Sequence, residues 1–156
     1  MDYRLEVLTL PVKDVETAIT FYRDQLGFHL DVDWAPTSTF RVAQLTPPGS
    51  ATSVQLGTGI TDASPGSATE NYLVVTDAQA AHRELTERGA APGPLVHKTD
   101  RQHWTGRYAS GPDPDHTDYS SSFVVTDPDG NTWRIQERGH PSQQTTTSAD
   151  DDVLEH

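Results

Sequence analysis

Between His97 and Tyr119 the chain gathers side chains that can move protons and grip aromatic rings. Three histidines, His97, His103 and His116, lie among the carboxylates Asp100, Asp113, Asp115 and Asp118 and the aromatics Trp104, Tyr108 and Tyr119. Histidine titrates near neutrality, so His103 or His116 suits a general base, with Asp115 as the carboxylate that orients it. Trp104 and Tyr108 suit stacking against an aromatic substrate. The same residues also suit an exposed polar loop whose aromatics merely pin it down. The histidine spacings of 6 and 13 match no tight metal-ligand motif.

The elements that must position these groups are written twice. Asp14 opens an amphipathic run that ends at Leu26-Gly27-Phe28, and Asp77, 63 residues on, opens a second that ends at Arg88-Gly89-Ala90. Each aspartate is a good N-cap, and each glycine a helix stop. In the first run Val15, Ala18, Ile19, Tyr22 and Leu26 form one apolar stripe; in the second, Ala78, Ala81 and Leu85 do. Strands are predicted at Arg4–Val12, Phe28–Trp34, Thr39–Leu45 and Thr52–Gly57. They recur at Asn71–Val75, Pro94–Lys98, Ser121–Thr126 and Thr132–Glu137. The order is β-α-β-β-β in both copies, joined by a Gly/Ser/Asp/Pro linker over 59–69. Asp127-Pro128-Asp129-Gly130-Asn131 is a strong turn. The stretch Thr99–Asp118 reads as an irregular insertion that the first copy lacks, long enough to be a lid or binding loop. A duplicated module of this kind builds a ligand pocket between its copies.

Composition bounds the partners. With 156 residues the chain fits one domain. The 23 Asp+Glu against 11 Lys+Arg leave a formal net charge of -12, which repels nucleic acid and anionic membrane surfaces and leaves a neutral or cationic small molecule as partner. With no cysteine, disulfides, thiolate metal sites and cysteine nucleophiles are excluded. No signal peptide is apparent, and no apolar run approaches the ~18 residues of a membrane span. A soluble, cytoplasmic protein is expected. Residues 139–156 read as a disordered tail, whose last three, Leu154-Glu155-His156, look like the start of an expression tag.

Leu10-Pro11-Val12-Lys13-Asp14, Phe21-Tyr22, Leu26-Gly27-Phe28 and the run Phe123 to Trp133 around the turn resemble the vicinal oxygen chelate superfamily, which includes glyoxalase I, bleomycin-resistance proteins and extradiol dioxygenases. The resemblance covers about residues 4–138. It implies an α+β fold of two tandem βαβββ modules, about 4–58 and 70–138, whose mixed sheets curl around a shared cavity, commonly in a homodimer. Metal-dependent members carry His or Glu at four sheet positions. Matched by motif, these fall on Val7, Gln55, Asn71 and Arg134, none of them a good ligand for zinc or iron. No metal and no other cofactor is therefore expected. A slip of one residue would bring in Glu6 and Glu70, but would turn them to the opposite face.

Strand alternation adds Leu5, Thr9, Ser53, Gly57, Leu73, Thr132 and Gln136 to the cavity side. In this picture Val7, Gln55, Asn71, Gln136, Trp104 and Tyr108 bind substrate. Arg134 holds an oxyanion, and His103 or His116 with Asp115 moves the proton. The expected activity is metal-independent acid/base chemistry, such as isomerisation, cyclisation or a lyase reaction, on a small aromatic or carbonyl-bearing metabolite. Two alternatives remain: a bleomycin-resistance-like protein that sequesters a small molecule without turnover, and a glyoxalase-type metalloenzyme with relocated ligands.

Overall fold

The computed structural model describes residues 1–100 and 106–143 and divides the chain into two units, each built on a mixed sheet. The first comprises residues 1–71 with 88–90 and 126–132; the second comprises 72–87, 91–125 and 133 onward.

The first unit follows the duplicated pattern. It runs β1 (Val7–Thr9), α1 (Val15–Thr20), a π-helical turn (Phe21–Gln25), β2 (His29–Thr37), β3 (Phe40–Thr46) and β4 (Ser53–Thr58). Its sheet order is β1-β4-β3-β2, with β1 parallel to β4 and the other pairs antiparallel. Asp14 caps α1 as expected, accepting from the Thr17 amide at 3.1 Å. The predicted single helix to Leu26 instead widens after Thr20, where the Leu26 amide donates to the Phe21 carbonyl five residues back. That extra width lets two adjacent aromatics, Phe21 and Tyr22, both enter the core, their rings edge to face at 5.1 Å. Ala43, Leu45, Val54 and Leu56 bury the same side of the sheet. The first strand is shorter than predicted. Tyr3 and Leu5 are exposed, so Leu5 does not join a covered face as expected.

Asp127 and Asn131 organise this unit. One oxygen of Asp127 accepts the amides of Asp129, Gly130 and Asn131 at 2.9, 3.0 and 2.9 Å. The other accepts the Tyr22 hydroxyl at 2.7 Å and the Asn131 side-chain amide at 2.8 Å. Asn131 also donates to the Pro11 carbonyl and accepts from the Ala68 amide. Gly66 closes the same cluster, with its amide on the Pro11 carbonyl. A Cβ there would lie 2.1 Å from the Asp129 carbonyl oxygen, so only glycine fits.

The second unit carries β5 (Asn71–Val75), α2 (Ala78–Glu87), β6 (Val96–Lys98), β7 (Tyr108–Ser110), β8 (Ser121–Thr126) and β9 (Thr132–Glu137), in sheet order β5-β9-β8-β6-β7. Asp77 caps α2 through the Ala80 amide at 2.9 Å. The predicted irregular insertion is not wholly irregular. Tyr108–Ser110 forms a hairpin with β6, pairing Lys98 with Tyr108 and Val96 with Ser110. Residues 139–143, expected in a disordered tail, have defined placements, with the Gly139 amide on Asp118 at 2.8 Å. Among the described residues, no helix is long and apolar enough to cross a membrane.

Two outcomes test these contacts. Tyr22→Phe removes one hydrogen bond to a buried carboxylate and should lower stability by about 1.5–3 kcal/mol. Asp127→Ala, which strands several donors, should cost more, both read from urea midpoints. Arg41 grips Asp33 through two hydrogen bonds, 2.9 and 2.8 Å, and reaches Glu16. These hydrogen bonds hold the Asp33 carboxyl below its usual range. A depressed folded value stabilises above the unfolded value near ~4 and is lost as pH falls through the lower folded value. Arg41→Met should therefore flatten the acid limb of stability against pH.

Candidate functional site

β9 divides the chemistry of the second unit. Its residues alternate between half-buried Thr132, Arg134 and Gln136 and fully buried Trp133, Ile135 and Glu137. Alternation puts these two sets on opposite faces of the sheet.

On the first face, the Arg134 guanidinium donates to the Ser122 hydroxyl at 2.9 Å and lies over the Tyr108 ring, 5.3 Å from its centroid. Register builds the rest: Val96 pairs with Ser122 and Ser110, and Lys98 with Tyr108. Lys98 therefore joins Arg134 on this side. Burial, and secondarily the charge of Arg134, push the Lys98 ammonium below its usual range. Among the described residues no carboxylate forms an ion pair with Arg134. The result is an arginine and a lysine beside a tyrosine 40% exposed, on a chain of net charge -12. Such a surface suits a planar ligand with an anionic oxygen.

The opposite face holds the histidines. His116 Nδ1 lies 3.0 Å from Glu137 Oε2, and His97 Nδ1 lies 2.8 Å from the Gly111 carbonyl oxygen. His97 sits between Val96 and Lys98, so its ring points away from them. His82 meets the Gly93 carbonyl and packs edge-on against Phe123. The structure therefore does not bring His116 together with Arg134, because their anchors on β9 point to opposite sides. The carboxylate that meets the His116 ring is that of Glu137. His103 and Trp104 lie outside the described residues. Gln136 is on the Arg134 side of the sheet, and so is Tyr108, which the sequence reading left in an irregular loop.

The first unit has its own half-open face. Register aligns Val32, Gln44, Gln55 and Thr9 across the four strands, with Trp34, Val42 and Gly57 in the next row. Gln55 donates to the Thr9 hydroxyl at 2.9 Å. Trp34 is 57% exposed and stands edge-on to Phe40. Val7 pairs with Ser53 in β1, and Asn71 begins β5. Glu70 precedes that strand with φ 63, and its amide donates to the Thr132 hydroxyl at 3.1 Å. The positions matched by motif to the superfamily's metal ligands thus hold a valine, an amide bonded to Thr9 and a second amide in the first unit, and a guanidinium in the second. This donor set does not fit a zinc or iron ion.

Sequence reading missed Lys98, Ser122 and Trp34. The alternation of β2 carried a signal for Trp34. Lys98 and Ser122 gain meaning only from β6–β7 and β6–β8 pairing. A direct check of this face is the titration of Lys98 itself. Arg134→Met removes a nearby positive charge, so the Lys98 pKa should rise toward its ordinary value, as read by NMR of the methylated lysine.

The model of the Glyoxalase/Bleomycin resistance protein/Dioxygenase superfamily matches residues 4–135. TnmS3 from Streptomyces sp. CB03234, described as an antibiotic binding protein, is 28% identical over 88% of this chain and 98% of its own, with a TM-score of 0.66. A superfamily member from Sphaerobacter thermophilus DSM 20745 is also 28% identical over 88% of this chain and 98% of its own, with a TM-score of 0.62. A comparison with curated proteins found no match.

Proposed function

The chain belongs to the glyoxalase/bleomycin resistance protein/dioxygenase superfamily, and from that premise we propose that it binds and sequesters a small aromatic molecule bearing an ionised oxygen. The observation that carries this reading is the Arg134 guanidinium, fixed by Ser122 over Tyr108 and next to Lys98. Tyr108 supplies a stacking surface, and the two cations select a phenolate, enolate or carboxylate over a cationic ligand. The antibiotic-binding description of TnmS3 supports a small organic ligand. His116 lies across the sheet from Arg134 and is not assigned as a base on this face. The reading assigns no metal to Val7, Gln55, Asn71 or Arg134, since none of these side chains offers an imidazole or carboxylate. A homodimer, common among relatives, belongs to the same reading.

Lys98 favours a second reading. An ammonium whose pKa is lowered by burial and a neighbouring cation can exchange protons nearer neutrality, as an acid/base catalyst must.

Calorimetric titration with a panel of aromatic phenols and carboxylates separates the two. Sequestration predicts stoichiometric binding, no product, and weakening with salt. Arg134→Gln should weaken binding by ~10- to 100-fold, the effect of losing a charged hydrogen bond worth ~1.5–3 kcal/mol. Affinity should also fall as pH rises through the lowered Lys98 pKa, since only the protonated amine attracts the anion. Turnover that disappears in Lys98→Met while binding persists would establish the catalytic reading instead. Binding indifferent to Arg134 would sink both.

A further inference from the structure

On the buried side of β9, away from Arg134, three potential metal ligands from different segments converge. His116 comes from the turn before β8, Glu137 from the end of β9 and His140 from the segment after it, and their ligand atoms all lie within 4.8 Å of one another. We propose that His116, Glu137 and His140 form a binding site for one zinc-class divalent ion, distinct from the superfamily's metal position at Arg134.

The chemistry suits such an ion. Two imidazoles and one carboxylate are a common zinc donor set, and three protein ligands leave a fourth position open. His116 Nδ1 and Glu137 Oε2, 3.0 Å apart, already stand near the ~3.3 Å that ligands at ~2.0–2.1 Å keep around a tetrahedral ion. The two imidazole rings stack with centroids 3.6 Å apart and planes 8° apart. Ligation needs His140 to turn out of that stack so that the lone pairs converge on one point. It closes a spread of at most 4.8 Å.

Outer contacts hold the ligands. Glu137 is buried, and its second oxygen accepts the Ala78 amide at 3.0 Å, which fixes the carboxylate. His140 Nδ1 accepts the Ser142 amide at 3.2 Å and lies 2.8 Å from the Ser142 hydroxyl, so ligation through Nε2 requires the ring, as it turns, to leave that amide and carry its proton on Nδ1. Asp77 Oδ2 is 3.8 Å from that Nε2 and adds negative charge beside it. The His116 turn is built deliberately. Buried Asp113 accepts the Asp115 and Thr117 amides, and His116 adopts φ 51, a left-handed conformation costly for a residue with a side chain. Strain of this kind persists where the surroundings repay it. An ion here would tie the turn before β8 and the segment after β9 to the start of α2.

The test titrates the full chain, without added histidines, with Zn²⁺ by calorimetry and with Co²⁺ by visible absorption. One equivalent of metal is expected, with a rise in Tm. Affinity should fall by about tenfold or more in both His116→Ala and His140→Ala. Glu137 caps α2 and its loss can unfold the protein; His140→Ala leaves that cap intact and keeps the test decisive. Failure of the folded chain to bind one equivalent overturns the proposal, as does binding indifferent to either histidine substitution. The ligand titrations with Arg134→Gln are unaffected by this result, so the two proposals fail separately.

Discussion

The turn closed by Asp127 and Asn131 is the constraint on which the rest depends. One buried carboxylate accepts three successive amides, a tyrosine hydroxyl and a side-chain amide. Unpaired buried donors are costly, so this set of bonds has few alternatives. Asn131 then reaches the Pro11 carbonyl and the Ala68 amide, tying the chain after β1 to the linker before β5. The same turn joins β8 to β9 and so sets where β9 begins.

Register in β9 has chemical consequences because a strand's side chains alternate. A slip of one residue would exchange Arg134 with its buried neighbours and turn Glu137 outward. The observed register puts a cation on one face and a buried carboxylate on the other. Each gathers its own company: Ser122, Tyr108 and Lys98 around Arg134, and His116 and His140 around Glu137. Anion recognition and metal ligation call for opposite local charge. The thickness of one sheet separates the Arg134 cluster from the Glu137 cluster within the second unit.

Net charge and local charge differ in this chain. The acidic balance of the chain points to a neutral or cationic ligand, yet several of its carboxylates serve the fold. Asp33 and Glu16 engage Arg41, while Asp14, Asp77, Asp113 and Asp127 accept backbone amides at caps and turns. Arg134 stands apart from such partners among the described residues. Local geometry outweighs the sum because unscreened interactions reach only about a Debye length.

Sequence alone determined the superfamily fold, both helix caps and the turn at Asp127–Asn131. These rest on short-range rules: N-caps, apolar periodicity, and residues tolerant of turn conformations. It also determined that imidazole and carboxylate are missing at the four sheet positions used for metal by relatives, and the strand alternation that places Gln136 with Arg134. Tertiary structure decided the partners. Tyr108 entered a strand beside Lys98 because β6 offered an unpaired edge, something residue spacing does not encode. His116 met Glu137, since the Asp113 turn swings its ring toward β9. His140 became a neighbour of His116 from across 24 residues of chain, because the segment after β9 turns back beside it. Local propensity is written along the chain; which side chains meet depends on strand pairing and turn direction, which only the folded backbone specifies.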